Sequence, residues 1–260
     1  MSEERRVAII TGAAQGIGRQ TALTLAKLGY SLALNDLGSC VDVCRKAVSL
    51  GVAASEHRGD ISDEAFVARF AGEVVAEHAR VDVLVNNAGI SFIGAAESVS
   101  AADFRRVLEV NLVAPFLLCK AFGKIMLQQR RGSIVNVASI AGLAAVADRS
   151  AYNASKHGLI GLTRTLAAEW GGHGVRVNAV CPGWVKTEMD IADQAGGNYT
   201  DQDIIERVPM ARFARPEDIA NAIAFLADEQ QSAFVNGHAL TVDGGWTTDA
   251  SWNSLRLQHR

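Results

Sequence analysis

The chain has 260 residues, 49% of them hydrophobic, with 24 glycines, 4 prolines and a formal net charge of −3. Such a composition suits a packed α/β core with many tight strand-to-helix turns and excludes a disordered chain. The mild negative charge gives no pull towards nucleic acid or an anionic membrane, so neither is expected as a partner.

No apolar run is expected to reach the roughly 18 residues that span a bilayer. Residues 1–6 run straight into the first strand and leave no room for a signal peptide, so the expected location is cytoplasmic. Cys40 and Cys44 have helical spacing, but Cys119 and Cys181 do not complete a zinc pattern, and reduced buried thiols are expected. The histidines are scattered, none pairs with an acid or cysteine at ligand spacing, and no catalytic metal is expected.

In chain order, Val7-Ala8-Ile9-Ile10 is wholly apolar, the pattern of a central parallel strand. It leads into Thr11-Gly12-Ala13-Ala14-Gln15-Gly16-Ile17-Gly18, with a helix predicted through Lys27. Glycines in such a turn admit a pyrophosphate close to the backbone, and the helix N-terminus offers it free N–H groups. The spacing is Gly-x-x-x-Gly-x-Gly, not the commoner GxGxxG. A second strand over 31–35 ends at Asp36, 18 residues beyond Gly18. A carboxylate there accepts bonds from the adenosine ribose and repels a 2′-phosphate, which favours NAD over NADP. Neither Gln15 nor Leu37 supplies a cation for such a phosphate.

A helix over 41–50 precedes a strand that closes at Gly59-Asp60-Ile61. Asp60 suits the adenine amino group, or the N-cap of the next helix, 63–77. A strand over 81–85 closes in Asn86-Asn87-Ala88-Gly89, where Asn86 suits a tie between strands. Helical patterns follow over 101–111 and 113–129. Asn111 falls at their junction, where an amide can bond a backbone carbonyl and disturb the helix.

Ser133 to Ala138 read as a buried strand, which puts Ser139 at its C-terminal end, where open α/β sheets bind ligands. Tyr152 and Lys156, four apart on a predicted helix reaching residue 171, project from one face. A tyrosine with a pKa of about 10 is a poor base at neutral pH, and a neighbouring ammonium favours its phenolate. Ser139 and Tyr152 are therefore expected to grip one substrate oxygen, with Tyr152 moving its proton. Leu159, Leu162, Leu166 and Trp170 fall at helical spacing and are assigned to the core or a subunit interface. A sixth strand, 176–181, ends in Pro182-Gly183. From Trp184 to Arg215 the periodicity is weak and Gly196-Gly197 interrupts it, so a lid or binding loop is expected. Pro216 opens a helix to about residue 227, and 238–242 form a last strand before Asp243-Gly244-Gly245-Trp246. Without a linker or repeat, one domain over 1–260 is expected, with a tail over 247–260.

Thr11-Gly-x-x-x-Gly-Ile-Gly18, Asp60, Asn86-Asn-Ala-Gly89, Asn111, Ser139, Tyr152-x-x-x-Lys156 and Pro182-Gly183 occur in this order. In these motifs the chain resembles the short-chain dehydrogenase/reductase family, from Val7 to Trp246. The resemblance implies a doubly wound Rossmann fold with a seven-stranded parallel sheet. It implies hydride transfer between nicotinamide and a carbinol or carbonyl carbon. Tyr152 would be the acid/base, Ser139 would polarise the oxygen, Lys156 would lower the tyrosine pKa and bind the nicotinamide ribose, and Asn111 would hold a relay water. Gly12, Gln15, Gly16, Ile17 and Gly18 would line the pyrophosphate, with Asp36 on the ribose and Asp60 and Ile61 at adenine. Asn87, Ala88 and Gly89 would pass behind the ribose and nicotinamide. Pro182 and Gly183 would also bind the cofactor, and Val185 and Thr187, just after them, would orient the nicotinamide carboxamide. A homotetramer is the family expectation. The chain departs from the pattern in running on past Gly245 through Trp252, Leu255 and Leu257, residues suited to packing on a neighbouring subunit.

The expected substrate wall comprises Ser91, Ser139, Ile140, Gly142, Val146, Tyr152, Trp184, Met189 and Ile191. It holds no arginine or lysine, which speaks against a carboxylate- or phosphate-bearing substrate. A polyol, sugar or small secondary alcohol is favoured, with NAD as cofactor. The runner-up is a 3-oxoacyl-thioester reductase. An alternative of another class is a non-catalytic NAD(H)-binding regulator on the same fold.

Overall fold

A computed structural model describes residues 5–195 and 199–251 of the chain. The Gly196-Gly197 interruption and the Trp252, Leu255 and Leu257 tail contacts lie outside the described residues.

Seven parallel strands form one sheet in the order β3-β2-β1-β4-β5-β6-β7. They are β1 (Val7–Thr11), β2 (Ser31–Asp36), β3 (Ala54–Arg58), β4 (Val83–Asn86), β5 (Gly132–Val137), β6 (Val175–Pro182) and β7 (Ala239–Val242). The central strands are apolar at nearly every position because helices cover both faces. Residues alternate between the two sides. Ala8 and Ile10 pack with α1 (Gly16–Lys27), α2 (Val41–Ser49) and α9 (Pro216–Ala227), whereas Ile9 faces α3 (Glu64–His78) and α5 (Ala114–Gln129). The order reverses between β1 and β4, and that switch point opens a crevice at the strands' C-terminal ends.

Asn86 ties the sheet together as expected. Its amide donates to Asn136 Oδ1 across the β4–β5 register (2.8 Å), and Asn136 donates to Thr163 Oγ1 (2.9 Å) on α6, which spans Ser150–Trp170. Leu159 and Leu166 are core residues, and Trp170 packs over Gly123, where a Cβ would come within 2.7 Å of its ring.

Three expectations need correction. Asp60 does not cap α3. Asp63 does, accepting from the Ala65 amide at 2.9 Å, because it immediately precedes the helix. The helix run Ala101–Gln129 is long and apolar enough to cross a membrane, but half of its most apolar stretch is buried inside the protein. Leu118, Phe122 and Met126 of that run belong to the core. The run comprises α4 (Ala101–Leu108), a π-helical turn (Glu109–Val113) and α5, so the break expected at Asn111 is a π-turn. The segment after β6 is not irregular either. It contains α7 (Glu188–Gln194) and α8 (Asp201–Arg207), started by the N-caps Thr187 and Thr200. Short capped helices carry too few residues to show a period. The remaining helix, α10 (Glu229–Ser232), is a single turn.

Candidate active site

The turn after β1 is shaped for close approach. Gly12 and Gly16 adopt φ values of +64° and +54°. A Cβ on Gly18 would lie 2.0 Å from the Gly12 carbonyl oxygen, so Gly18 lies beneath the turn and lets α1 start tightly against it. The loop after β4 is clamped to the same turn. Thr11 Oγ1 accepts from the Asn87 and Ala88 amides (both 3.1 Å), and Asn87 Nδ2 donates to the Thr11 and Gly12 carbonyls at 2.9 and 3.1 Å. The N-cap Gln15 makes no side-chain cap bond, and no acid lies in the first turn of α1. Its first amides and dipole are thus offered to an anion.

Asp36 stands at the end of β2. It accepts from the Ala14 amide (3.0 Å) and the Gly38 amide (2.9 Å), which hold the carboxylate at the rim of the cleft. Asp60 accepts from Ser62 through its amide and hydroxyl (2.9 and 2.6 Å) and pairs with Arg106 at 3.0 Å. Burial pushes its carboxyl up, but these partners outweigh burial and hold it below its usual range. The glycine cradle, the free helix N-terminus and Asp36 fit a nicotinamide dinucleotide.

Ser139 lies two residues beyond β5 with an extended backbone, and its hydroxyl accepts from the Ala141 amide at 3.1 Å. Tyr152 lies one helical turn before Lys156. Burial pushes its phenol above the ordinary value, the Ser139 hydroxyl pulls it down, and Asp193 and Arg149 act in opposite senses. Lys156 is 4% exposed. Its ammonium donates to the Val137 carbonyl at 2.8 Å and lies 5.5 Å from the centre of the Tyr152 ring. Burial lowers its pKa to about 8. Asn111, fully buried, holds the Ile90 backbone at both ends: Oδ1 accepts from its amide and Nδ2 donates to its carbonyl, each at 2.9 Å. The π-turn aims this amide under Gly89, where a Cβ would come within 3.1 Å of Asn111 Oδ1 and 3.6 Å of Lys156 Nζ.

One cleft brings together Gly12, Gln15, Gly16, Ile17, Asp36, Asp60, Ile61, Asn87, Ala88 and Gly89. Ser91, Ser139, Ile140, Val146, Tyr152 and Lys156 line it further along, with Pro182, Gly183, Trp184, Val185, Thr187 and Met189. Gly18 and Asn111 support it from below. Gly142 is corrected: it packs against α6, where a Cβ would meet the Lys156 carbonyl at 2.8 Å and Ile160 at 2.9 Å. Ile191 is also outside, its side chain turned to solvent.

The expected absence of arginine from the substrate wall is overturned. Arg149 lines the cleft, together with Asp190, Asp193 and Tyr199. In sequence Arg149 sits in a polar stretch that reads as surface. Asp148 adopts φ +58°, and Arg149 then becomes the N-cap residue of α6, beside the catalytic face. For Asp193 a signal existed. Thr187-x-x-Asp190 is a helix-start pattern, and Asp190 and Asp193 then share one helix face.

Residues 12–247 match the family model described as enoyl-(acyl carrier protein) reductase. The chain is 42% identical over 245 residues to the D-threitol dehydrogenase of Mycolicibacterium smegmatis, covering 93% of each protein. Among solved structures, levodione reductase superposes with a TM-score of 0.90 at 33% identity, covering 94% of this chain and 98% of that one. A structure described as an NAD(P)-dependent gluconate 5-dehydrogenase of Beutenbergia cavernae, with NADP at low occupancy, gives a TM-score of 0.88 at 40% identity. It covers 95% of this chain and 99% of its own. With the glycine turn, the Ser139–Tyr152–Lys156 arrangement and the parallel sheet, these matches make the chain a member of the short-chain dehydrogenase/reductase family, an oxidoreductase acting on alcohol groups.

Proposed function

We propose that the protein is an NAD-dependent dehydrogenase of secondary alcohols, with a polyol or sugar-like alcohol as its substrate class and Tyr152 as the acid/base. The observation that carries this reading is the placement of Tyr152 and Ser139 together at the end of a cleft that begins at the glycine turn. The likeness to a threitol dehydrogenase supports the polyol class.

In the oxidation direction the carbinol C–H leaves as hydride and the O–H proton passes to Tyr152 Oη, so the C–O bond becomes a carbonyl. The nicotinamide, when bound, supplies the hydride acceptor. Ser139 orients the substrate oxygen and donates to it as the carbonyl forms. Lys156 contributes its charge under the site and a donor for the ribose. Asn111 fixes Ile90 and Gly89 and stands on the path by which the proton of Tyr152 reaches solvent. Gly12, Gln15, Gly16 and Ile17 would hold the pyrophosphate, Asp36 the adenosine ribose, and Val185 and Thr187 the carboxamide. The two backbone amides on Asp36 hold its side chain in place at the rim of the cleft, where it would face the ribose, and this supports NAD over NADP. A homotetramer and a cytoplasmic site of action complete the proposal. The first is supported by the partly exposed Phe116 and Trp170 on α5 and α6, and the second by four cysteines without disulfides.

The experiment is hydride transfer with NAD and NADP against secondary alcohols, polyols and ketones, with Tyr152→Phe beside the wild type. Turnover with NAD that falls by about 10² or more in the variant, while NADH still binds, is the expected result. Equal turnover in the variant would remove Tyr152 from the chemistry.

A further inference from the structure

The cleft contains a second polar group that the proton and hydride steps do not use. Arg149 and Asp193 face each other across its substrate end, with side chains 12% and 20% exposed. Arg149 Nη2 lies 3.8 Å from Asp193 Oδ2, an ion pair too long for a hydrogen bond. That nitrogen is buried and has no hydrogen-bond partner among the described residues. Asp193 Oδ2 also accepts from Ser91 Oγ at 3.1 Å. The aromatic wall stands against the same guanidinium. Trp184 and Tyr199 meet edge-on at 5.2 Å, and Arg149 Cζ lies 5.6 and 5.8 Å from their ring centres. Both ends of the pair line the same cleft as Tyr152.

We propose that the Arg149–Asp193 pair, with Ser91 beside it, is the specificity-determining site of this enzyme and binds a hydroxyl group of a polyol remote from the reacting carbinol. The proposal rests on the dehydrogenase reading above. A hydroxyl donates and accepts at once. Placed at the pair, it accepts from Arg149 Nη2 and donates to Asp193. A ketone or ether oxygen cannot donate to the carboxylate, and an alkyl group leaves both charges unsatisfied in a part-buried site. A substrate carboxylate meets Arg149 but is repelled by Asp193. A further acid beside the pair, Asp190, accepts from Tyr199 Oη at 3.4 Å and pairs with Lys186 at 3.2 Å, a lysine that also pairs with Asp201. The Arg149–Asp193 pair is itself neutral overall and polar at short range, which suits neutral polyhydroxylated molecules. The Trp184–Tyr199 wall offers the C–H face of such a molecule an apolar contact.

The test uses three four-carbon substrates that differ only in what lies away from the carbinol: a butanetetrol, butan-2-ol and 3-hydroxybutanoate. Each is assayed with full-length wild type, Asp193→Asn and Arg149→Met, and tetrol binding to the NADH-loaded protein is followed by calorimetry. The wild type is expected to favour the tetrol over butan-2-ol in kcat/KM by tenfold or more. Both substitutions are expected to lower that ratio at least tenfold and to weaken tetrol binding in parallel. Asp193→Asn is expected to raise the 3-hydroxybutanoate to butan-2-ol ratio, because Arg149 is left without its acid. A purely structural role would lower all three substrates alike and leave the ratios unchanged, and that result overturns the proposal, as does a wild type that prefers butan-2-ol. Turnover without discrimination sinks the pair and leaves the dehydrogenase reading standing. Tetrol binding that depends on the pair, with no turnover of any alcohol, sinks the dehydrogenase reading and leaves the pair standing.

Discussion

Lys156 donates its ammonium proton to the Val137 carbonyl, 2.8 Å away, while standing 5.5 Å from the centre of the Tyr152 ring. The lysine is therefore anchored to the end of β5, and the strand that carries Ser139 also sets the height of the ammonium. Burial lowers its pKa to about 8, so around neutral pH the charged form dominates. Affinity for NAD is expected to weaken as the pH rises through about 8, because the site loses its buried positive charge and a ribose donor. Lys156→Met should bind NAD more weakly and without that pH dependence. Fluorescence titration of NADH between pH 6 and 10 measures both, and an identical profile in the variant would count against this role.

Ser139 lowers the proton affinity of Tyr152, against the opposing effect of burial. Alcohol oxidation needs the phenolate, so its rate rises with pH through the apparent pKa of the tyrosine. Ser139→Ala should move that limb to higher pH and depress kcat/KM at neutral pH by about 10². Part of the loss should return on raising the pH. A limb displaced towards acid would show that the sign is wrong. Parallel melting curves separate this from misfolding.

Asp36 is held at the ribose end of the cleft by two backbone amides and lines it with one carboxylate face. A 2′-phosphate placed there meets like charge, and such juxtaposition costs several kcal/mol, so an NAD preference of about a hundredfold in kcat/KM is expected. Asp36→Ala should erase most of the preference by weakening NAD and admitting NADP. Steady-state kinetics with both cofactors decides it. A wild type that prefers NADP would overturn the assignment.

Two glycines should respond in opposite ways to alanine. Gly18 has the Gly12 carbonyl oxygen 2.0 Å from its notional Cβ, with Asn87 Nδ2 at 2.5 Å. Gly18→Ala should cost about 2 kcal/mol or more and abolish tight NADH binding, since the turn has to move. Gly72, inside α3, has nothing within 4 Å, and Gly72→Ala should be neutral or stabilising by up to about 1 kcal/mol. Thermal melts with and without NADH compare them. Equal effects would mean that the turn tolerates displacement.

Much of this protein was legible before any coordinates. The β1 apolar run, the glycine turn and the Tyr152–Lys156 spacing are local, so period and turn chemistry expose them directly. Asn111 also declared itself, as an amide in an apolar helical run, and a π-turn stands there. The misreadings have a common cause. Asp60 or Asp63 as helix cap depends on where the chain leaves β3, a matter of one turn that side-chain type does not decide. Gly142 and Ile191 are near the site in sequence but face away from it, because α6 and α7 fix which side each presents. Arg149 and Asp193 are 44 residues apart and carry no shared periodicity. Their meeting in the cleft depends on a left-handed Asp148, the start of α6 at Arg149 and the capped α7 coming together there. Local pattern thus specified the residues proposed for catalysis and cofactor binding, whereas the meeting of Arg149 and Asp193 in the cleft arose from long-range packing, which no stretch of chain encodes alone.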